Sequence, residues 1–261
     1  MTGTAVATES GVGRRLAEGK TKIIYEVPGD DLLAVMEHKD AITAGDGARR
    51  HILPGKALAS SRTMENCFRV LRRAGVPAHF IRSLDERHAL VRRCAMIPVE
   101  VVTRRLAAGS YLKRYPGAAE GARFDPPLVE LFLKDDARHD PLVTPDDLVA
   151  AGVARRDEVA AMADLARRSF LALEEAWARL DVALVDLKIE CGRAAGDGAG
   201  GLLVADVVDN DSWRLWPGGR RAEMLDKQVY RDLTEVTDDG LARVAANYAR
   251  VAELTSRFDG E

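Results

Sequence analysis

The apolar positions of this 261-residue chain change period along its length, and the changes mark out its elements. KTKIIYEV (20–27) and LLAVME (32–37) flank Pro28–Gly29–Asp30–Asp31, which predicts a β-hairpin. Strand alternation puts Lys20 and Lys22 on one face and Ile23 and Tyr25 near the other. Met64, Cys67, Phe68 and Leu71 then recur at helical spacing, and Gly75 with Pro77 stops that helix. Ala89 to Val102 reads as a strand pair, or a strand and a crossing segment, interrupted at Pro98. RYPGAAEGARFDPP (114–127) is rich in Gly and Pro and reads as loop.

The second half alternates in the same way. Thr144–Pro145–Asp146–Asp147 starts a short helix that Gly152 ends: a capping hydroxyl, proline at the first helical position, then acids at the positive helix end. A longer helix carries Met162, Ala166, Phe170, Leu173 and Trp177 on its buried face. VALVDLKIE (182–190) and LLVADVV (202–208) predict a second hairpin around a glycine-rich loop. Thr237 opens a last helix striped by Leu241, Val244, Tyr248, Val251 and Leu254. No repeat or composition break divides the chain. Strand-rich and helix-rich stretches succeed one another, so the expected fold is α+β with two lobes.

Composition narrows the class without naming an activity. Hydrophobic residues make up 47% and charged residues 30%, a globular and cytoplasmic balance, and no apolar run is long enough to span a membrane. Residues 1–13 lack a basic segment followed by an apolar one and read as a mobile tail rather than a secretory signal. A net charge of −3 argues against a nucleic-acid partner, while Arg104–Arg105 and Lys113–Arg114 suit small anionic ligands. Cys67, Cys94 and Cys191 are too scattered for a disulfide framework or a zinc site and read as reduced, mostly buried thiols.

Two familiar spellings fail on context. Gly196-x-Gly198-x-x-Gly201 matches a dinucleotide fingerprint, but a strand follows where a helix N-terminus is required. Gly13 with Gly19–Lys20–Thr21 has five intervening residues where the phosphate loop requires four, and it too continues as strand. Glu18–Gly19–Lys20–Thr21–Lys22 instead begins a hairpin with two ammonium groups on one face. Kinase-like enzymes cover ATP phosphates with such a hairpin, although a solvated lysine face has the same spelling.

The second hairpin is more informative. Alternation in LVDLKIE puts Asp186, Lys188 and Glu190 on one face, and Asp206 sits within the facing apolar strand. Charges inside an apolar hairpin are costly unless they pair or bind a cation. Glu190 and Asp206 could together hold Mg²⁺, and the same spacing fits a half-buried salt-bridge network around Lys188. Downstream, DNDSWRLW concentrates Asp209, Asp211, Arg214 and two tryptophans, which suits a ligand-binding loop.

EGKTKIIYEV, ITAGDGAR, MIPVEVVTRRLAAGSYLKR, PPLVELFLKDDARHDP, LVDLKIECG, ADVVDNDSWRLW and DKQVYRDL, in that order from about residue 18 to 233, closely resemble the SAICAR synthetase family. The resemblance implies a β-rich nucleotide-binding lobe over about 14–100 and a helix-backed, substrate- and metal-binding lobe over 101–261, with ATP between them. It implies a ligase that uses ATP to activate the carboxylate of carboxyaminoimidazole ribonucleotide, as an acyl phosphate that L-aspartate then attacks. Carried over residue by residue, Lys20 and Lys22 face the ATP phosphates, and Met96 to Glu100 meets the adenine. Glu190 and Asp206 bind Mg²⁺, and Lys188 neutralises the reacting oxygens. Arg104, Ser110 and Arg214 hold the ribonucleotide and its phosphate. Asp46 and Asp211 lie near the imidazole, Asp211 in a catalytic role. The implied partners are small molecules, with no nucleic acid and no membrane, and a homo-oligomer is left open.

Departures from the family pattern are Ser61–Arg62 where many members have Asn–Lys, and Cys191 where phenylalanine commonly follows the metal glutamate. With the Ala- and Arg-rich composition, they leave an alternative: a paralogous ligase adding aspartate to another heterocyclic carboxylate in a specialised nucleoside pathway. A phosphotransferase should carry an HRD-like catalytic loop, and none is spelled here. A non-catalytic nucleotide sensor should have lost a metal ligand or a substrate arginine, whereas Glu190, Asp206, Arg104 and Arg214 are present.

Overall fold

The structure, a computed structural model, describes residues 12–45, 47–196 and 201–259. Apart from Val12 and Gly13, the expected N-terminal tail lies outside them. So does Asp46, and so does most of the rejected glycine motif.

The first hairpin forms where alternation predicts it, as β2 (Lys22–Val27) and β3 (Asp30–His38) around Pro28–Gly29, with Gly29 at φ +81° as such a turn demands. A strand that the sequence did not reveal precedes it: β1 (Arg15–Glu18) pairs antiparallel with β2. Glu18–Lys22 is therefore the turn of a β1–β2 hairpin, closed by Gly19 N donating to Lys22 O at 2.9 Å. Lys20 lies in that turn and Lys22 opens the strand, which corrects the expectation that both share a strand face. β6 (Phe80–Ser83) and β7 (His88–Arg92) complete a five-stranded sheet of order β1-β2-β3-β7-β6. β4 (Ala41–Ala44) and β5 (Arg49–Ile52) form a separate small hairpin.

The second sheet is built on two 13-residue strands, β8 (Cys94–Leu106) and β11 (Val182–Ala194). β9 (Arg123–Leu133) and β10 (Leu142–Val143) continue it on one side, β12 (Leu202–Ala205) on the other, and β13 (Trp213–Pro217) pairs with the first half of β11. Proline misled the sequence reading twice. β8 runs through Pro98, because the β8–β11 register shifts there from Glu190↔Glu100 to Gly192↔Met96 and the extra β8 residues bulge out. β9 likewise begins at Arg123 rather than beyond Pro127, with the prolines in a register shift between Leu106↔Arg123 and Arg104↔Leu128. The expected lobe boundary at 100/101 thus falls inside β8.

A long helix backs the second sheet, and another packs on the first. α1 (Lys56–Arg73) buries Met64, Cys67, Phe68 and Leu71 and lies against β3 and β6 of the first sheet, and α4 (Arg156–Ala178) buries Met162, Phe170, Leu173 and Trp177 against Leu187 and Ile189 of β11. The core also takes Met36 and Val91 from the first sheet, so one apolar interior serves both. Each such side chain contributes roughly 1.5–3 kcal/mol by burial. α2 (Ser110–Arg114) follows β8, α3 (Pro145–Ala150) has the predicted Thr144 cap, closed into a capping box by Asp147, and α5 (Gln228–Arg231) precedes α6 (Asp238–Thr255), capped by Thr237. Among the described residues no helix is long and apolar enough to cross a membrane.

Glu158 ties α4 to the sheet. Its carboxylate accepts from Arg155 N at 2.8 Å, closing a capping box, and from Arg193 of β11 at 2.6 and 2.9 Å. The Arg193 hydrogen bonds hold its pKa at about 2, against an ordinary 4.5. A depressed carboxylate pKa contributes stability above the unfolded value, lost as pH falls toward the folded one. Glu158→Gln should therefore lose about 1–3 kcal/mol at neutral pH, and the deficit should shrink below pH 4.5. Denaturant unfolding across pH checks this. A deficit unchanged into the acid range would assign the loss to packing.

Candidate active site

A cleft of about 980 Å³ opens between the first sheet and the charged face of β8 and β11. Its lining includes every described residue to which the family resemblance gives a role: Lys20, Lys22, Met96, Glu100, Arg104, Ser110, Lys188, Glu190, Asp206, Asp211 and Arg214. One end is apolar, with Ile24, Ala34, Met36, Val91, Met96 and Ile97 forming walls suited to a flat base. Gly192 permits this packing: a Cβ there would stand 2.6 Å from the Cys94 Cβ. Three charged centres occupy the rest.

The first centre is Glu190. Its buried carboxylate accepts from Lys134 Nζ at 2.8 and 2.9 Å and from Lys188 Nζ at 3.1 Å, and Lys188 also meets Glu100 at 3.3 Å. Burial pushes the Glu190 pKa up, but the lysines overcome it and hold the group at about 2, fully ionised. Burial alone would lower Lys188, yet Glu190 and Glu100 raise it above an ordinary lysine. The salt-bridge network around Lys188 is therefore real, and it lines the cleft. Lys134, just beyond β9, was missed because it follows an apolar run with no periodic signal of its own.

Beside it, Lys22 pairs with Asp206. Asp206 lies one residue past the end of β12 at φ +63°, not within the strand as expected, and Glu190 faces the neighbouring Ala205. That left-handed backbone is unusual for a non-glycine residue. Burial pulls Lys22 down to about 8, with Lys188 and Lys134 adding repulsion against the attraction of Glu190.

The second centre is a web of arginines. Arg104 is only 2% exposed. Its Nε donates to Glu130 at 2.6 Å, Nη1 to Asp186 at 2.8 Å and Nη2 to Ser110 at 3.0 Å. Arg214 donates to the same Asp186 oxygen, and Arg114 donates to Glu130. Asp186, noted for its place in the alternation but given no role, thus orients two guanidinium groups. Gly109, at φ +56°, leaves room for one of them, since a Cβ there would lie 2.1 Å from Arg214 Nη2.

The third centre is Asp211. Tyr248 of α6 donates a hydrogen bond to it, and Lys56 Nζ of α1 and Lys227 Nζ stand 3.2 and 3.6 Å away. Burial would raise the Asp211 pKa, but Lys227, Lys56 and Tyr248 drive it far below the usual range. Asp209 behind it is raised instead, by burial and by Asp211. Tyr248 counted in the sequence only as part of an apolar stripe, and the motifs carried no role for Lys56 or Lys227.

A protein-only metal cage is absent, since no group of three His, Cys, Asp or Glu among the described residues could hold an ion. The donor set nevertheless fits Mg²⁺ arriving with a nucleotide. Magnesium is held by one or two carboxylates plus phosphate oxygens and water, and Glu190 on β11 and Asp206 just past the paired strand β12 supply two.

The SAICAR synthetase family model matches residues 15–247. The chain is 61% identical to phosphoribosylaminoimidazole-succinocarboxamide synthase of Chloroflexus aggregans over 95% of its own length and 98% of that protein's. The crystal structure of the Ehrlichia chaffeensis synthase superposes with a TM-score of 0.84 at 30% identity, covering 93% of this chain and 98% of that one. A SAICAR synthetase in complex with ADP gives 0.81 at 31%, covering 94% and 97%. From the β1–β2 turn to the C-terminal helix, the chain belongs to the SAICAR synthetase family.

Proposed function

We propose that this chain is an ATP-dependent ligase that joins L-aspartate to the carboxylate of carboxyaminoimidazole ribonucleotide, the SAICAR-forming step of purine synthesis. The observation that carries this is one cleft in which a lysine–carboxylate centre and an arginine web lie side by side along one face of β11. Relatives 58–61% identical bear the synthase name and lend no support to a ligase for another heterocycle.

A carboxylate resists amine attack until one of its oxygens becomes a good leaving group, and ATP supplies that by phosphorylating it. The apolar end of the cleft takes the adenine against Met96 and the backbone leading to Glu100. Lys20 and Lys22 direct ammonium groups at the triphosphate, a role supported by the Lys20 turn and by the weak hold of the fold on the Lys22 charge. Glu190 and Asp206 would hold Mg²⁺, which neutralises phosphate charge when bound. Lys188, kept protonated by Glu190 and Glu100, stabilises charge on the reacting oxygens. Ser110 and Arg214 hold the ribonucleotide phosphate, with Arg104 behind them fixing Ser110 directly and Arg214 through Asp186. Asp211, ionised and immobilised, orients the imidazole end.

Two outcomes test this. With carboxyaminoimidazole ribonucleotide and ATP, phosphate release should require aspartate, and oxygen-18 in the substrate carboxylate should appear in the released phosphate. Label-free phosphate would exclude an acyl phosphate. Glu190→Gln and Asp206→Asn should each lower kcat by roughly 10²-fold or more, with little rescue by excess Mg²⁺. Near-normal turnover in both would leave those residues as salt-bridge partners only.

A further inference from the structure

Asp211 enters the cleft on a turn that is itself fastened, since its backbone N–H donates to Asp209 Oδ1 at 2.9 Å. The side chain beyond has two torsions, and a single anchor would leave its carboxylate free to swing. Instead each oxygen has an anchor of its own. Tyr248 of α6 donates to Oδ1, and Lys56 Nζ of α1 stands 3.2 Å from Oδ2. Neither of these side chains belongs to the cleft lining, whereas Asp211 does. They reach it from outside the cleft, from the first turn of one helix and the body of another.

The fold itself gains little from this arrangement. Lys56 is 1% exposed and is the first residue of α1, at the positive end of a helix with no acid in its first turn. Burial and the helix dipole both disfavour a cation there. An apolar side chain would serve such a place as well or better. The ammonium is met by the Asp211 carboxylate and by the face of the Tyr248 ring, whose centroid lies 5.1 Å from Nζ. That ring is buried in turn, packed with Leu53, Tyr230 and Val244 in a small apolar cluster. Burial and Asp211 raise the Tyr248 pKa well above an ordinary tyrosine, so its hydroxyl remains a donor.

Lys56 thus touches both members of the Tyr248–Asp211 hydrogen bond, and the three groups form one unit that meets the cleft through a single carboxylate. A carboxylate offers about four acceptor sites, and one anchor on each oxygen leaves others open to a substrate N–H. We propose that Tyr248 and Lys56 are positioning residues for the reaction. They act through Asp211, fixing the carboxylate that receives the imidazole end of the ribonucleotide, and they make the C-terminal helix α6 part of substrate recognition. This inference rests on the ligase function and the Asp211 role proposed above.

A double-mutant cycle between Tyr248→Phe and Asp211→Asn tests it. Phenylalanine keeps the ring over Lys56 and removes only the hydroxyl. The cycle is read in kcat/KM and, by calorimetry, in the Kd of the ribonucleotide, so it survives a loss of turnover. Tyr248→Phe alone should weaken both by about tenfold and leave KM for ATP unchanged. Asp211→Asn should cost more, and adding Tyr248→Phe to it should change nothing further. Lys56→Met should follow the same pattern without lowering the midpoint of thermal unfolding. Equal losses from Tyr248→Phe in both backgrounds would overturn the proposal, because the tyrosine would then act independently of Asp211. Unchanged constants would overturn it too, as would a lowered unfolding midpoint with the KM values of all three substrates raised together. Wild-type protein lacking aspartate-dependent phosphate release would instead refute the ligase function, and this positioning role with it.

Discussion

Strand β11 must carry three charges through the middle of a sheet, and the molecule is arranged around that requirement. Leu187 and Ile189 face α4 and the core, which forces Asp186, Lys188 and Glu190 onto the opposite face. A carboxylate buried without a partner would cost several kcal/mol. Each is therefore neutralised by a neighbouring element. Arg104 of β8 and Arg214 of β13 take Asp186, and Lys134 beyond β9 shares Glu190 with Lys188. The sheet order β9-β8-β11, with β13 alongside, is what brings those partners within reach.

Such pairing makes a site that is stable when empty and reactive when filled. Glu190 is ionised at any physiological pH because lysines hold it so, and the cation it accepts can be exchanged for another. Lys22, pulled down to about 8 by burial, keeps its charge weakly and gains most from a polyphosphate. Further along the same face of β11, Asp186 and Glu130 hold Arg104 and Arg214 in place, which fixes their geometry before a substrate arrives. One half of the cleft is thus exchangeable and the other rigid, in keeping with a reacting nucleotide on one side and a held nucleotide on the other.

The sequence revealed the elements whose periodicity was strong: the stripes of α1, α4 and α6, the Thr144 cap and the two hairpins. It misplaced strand ends at Pro98 and Pro126–Pro127, because bulges accommodate proline in a way that local pattern does not display. It missed β1, whose four residues RLAE do not alternate clearly. Site residues were legible where charge interrupted an apolar alternation, as at Asp186, Lys188 and Glu190. They were illegible where a lone polar group served a distant partner. Lys56, Lys134 and Tyr248 reach the site from three separate segments, and only the packing of α1 and α6 shows that Tyr248 meets Asp211. Asp206 was legible as a misplaced charge, but not its left-handed backbone just past the strand.

The central claim is that the lysine pairs on Glu190 and Asp206 are the resting form of a magnesium–nucleotide site. A crystal structure with ADP and Mn²⁺, located by its anomalous scattering, tests this most directly. The metal should be ligated by Glu190 and Asp206, with Lys22 and Lys134 transferred from those carboxylates to the phosphates. A metal bound by phosphate and water alone, with both lysine–carboxylate pairs intact, would contradict the account.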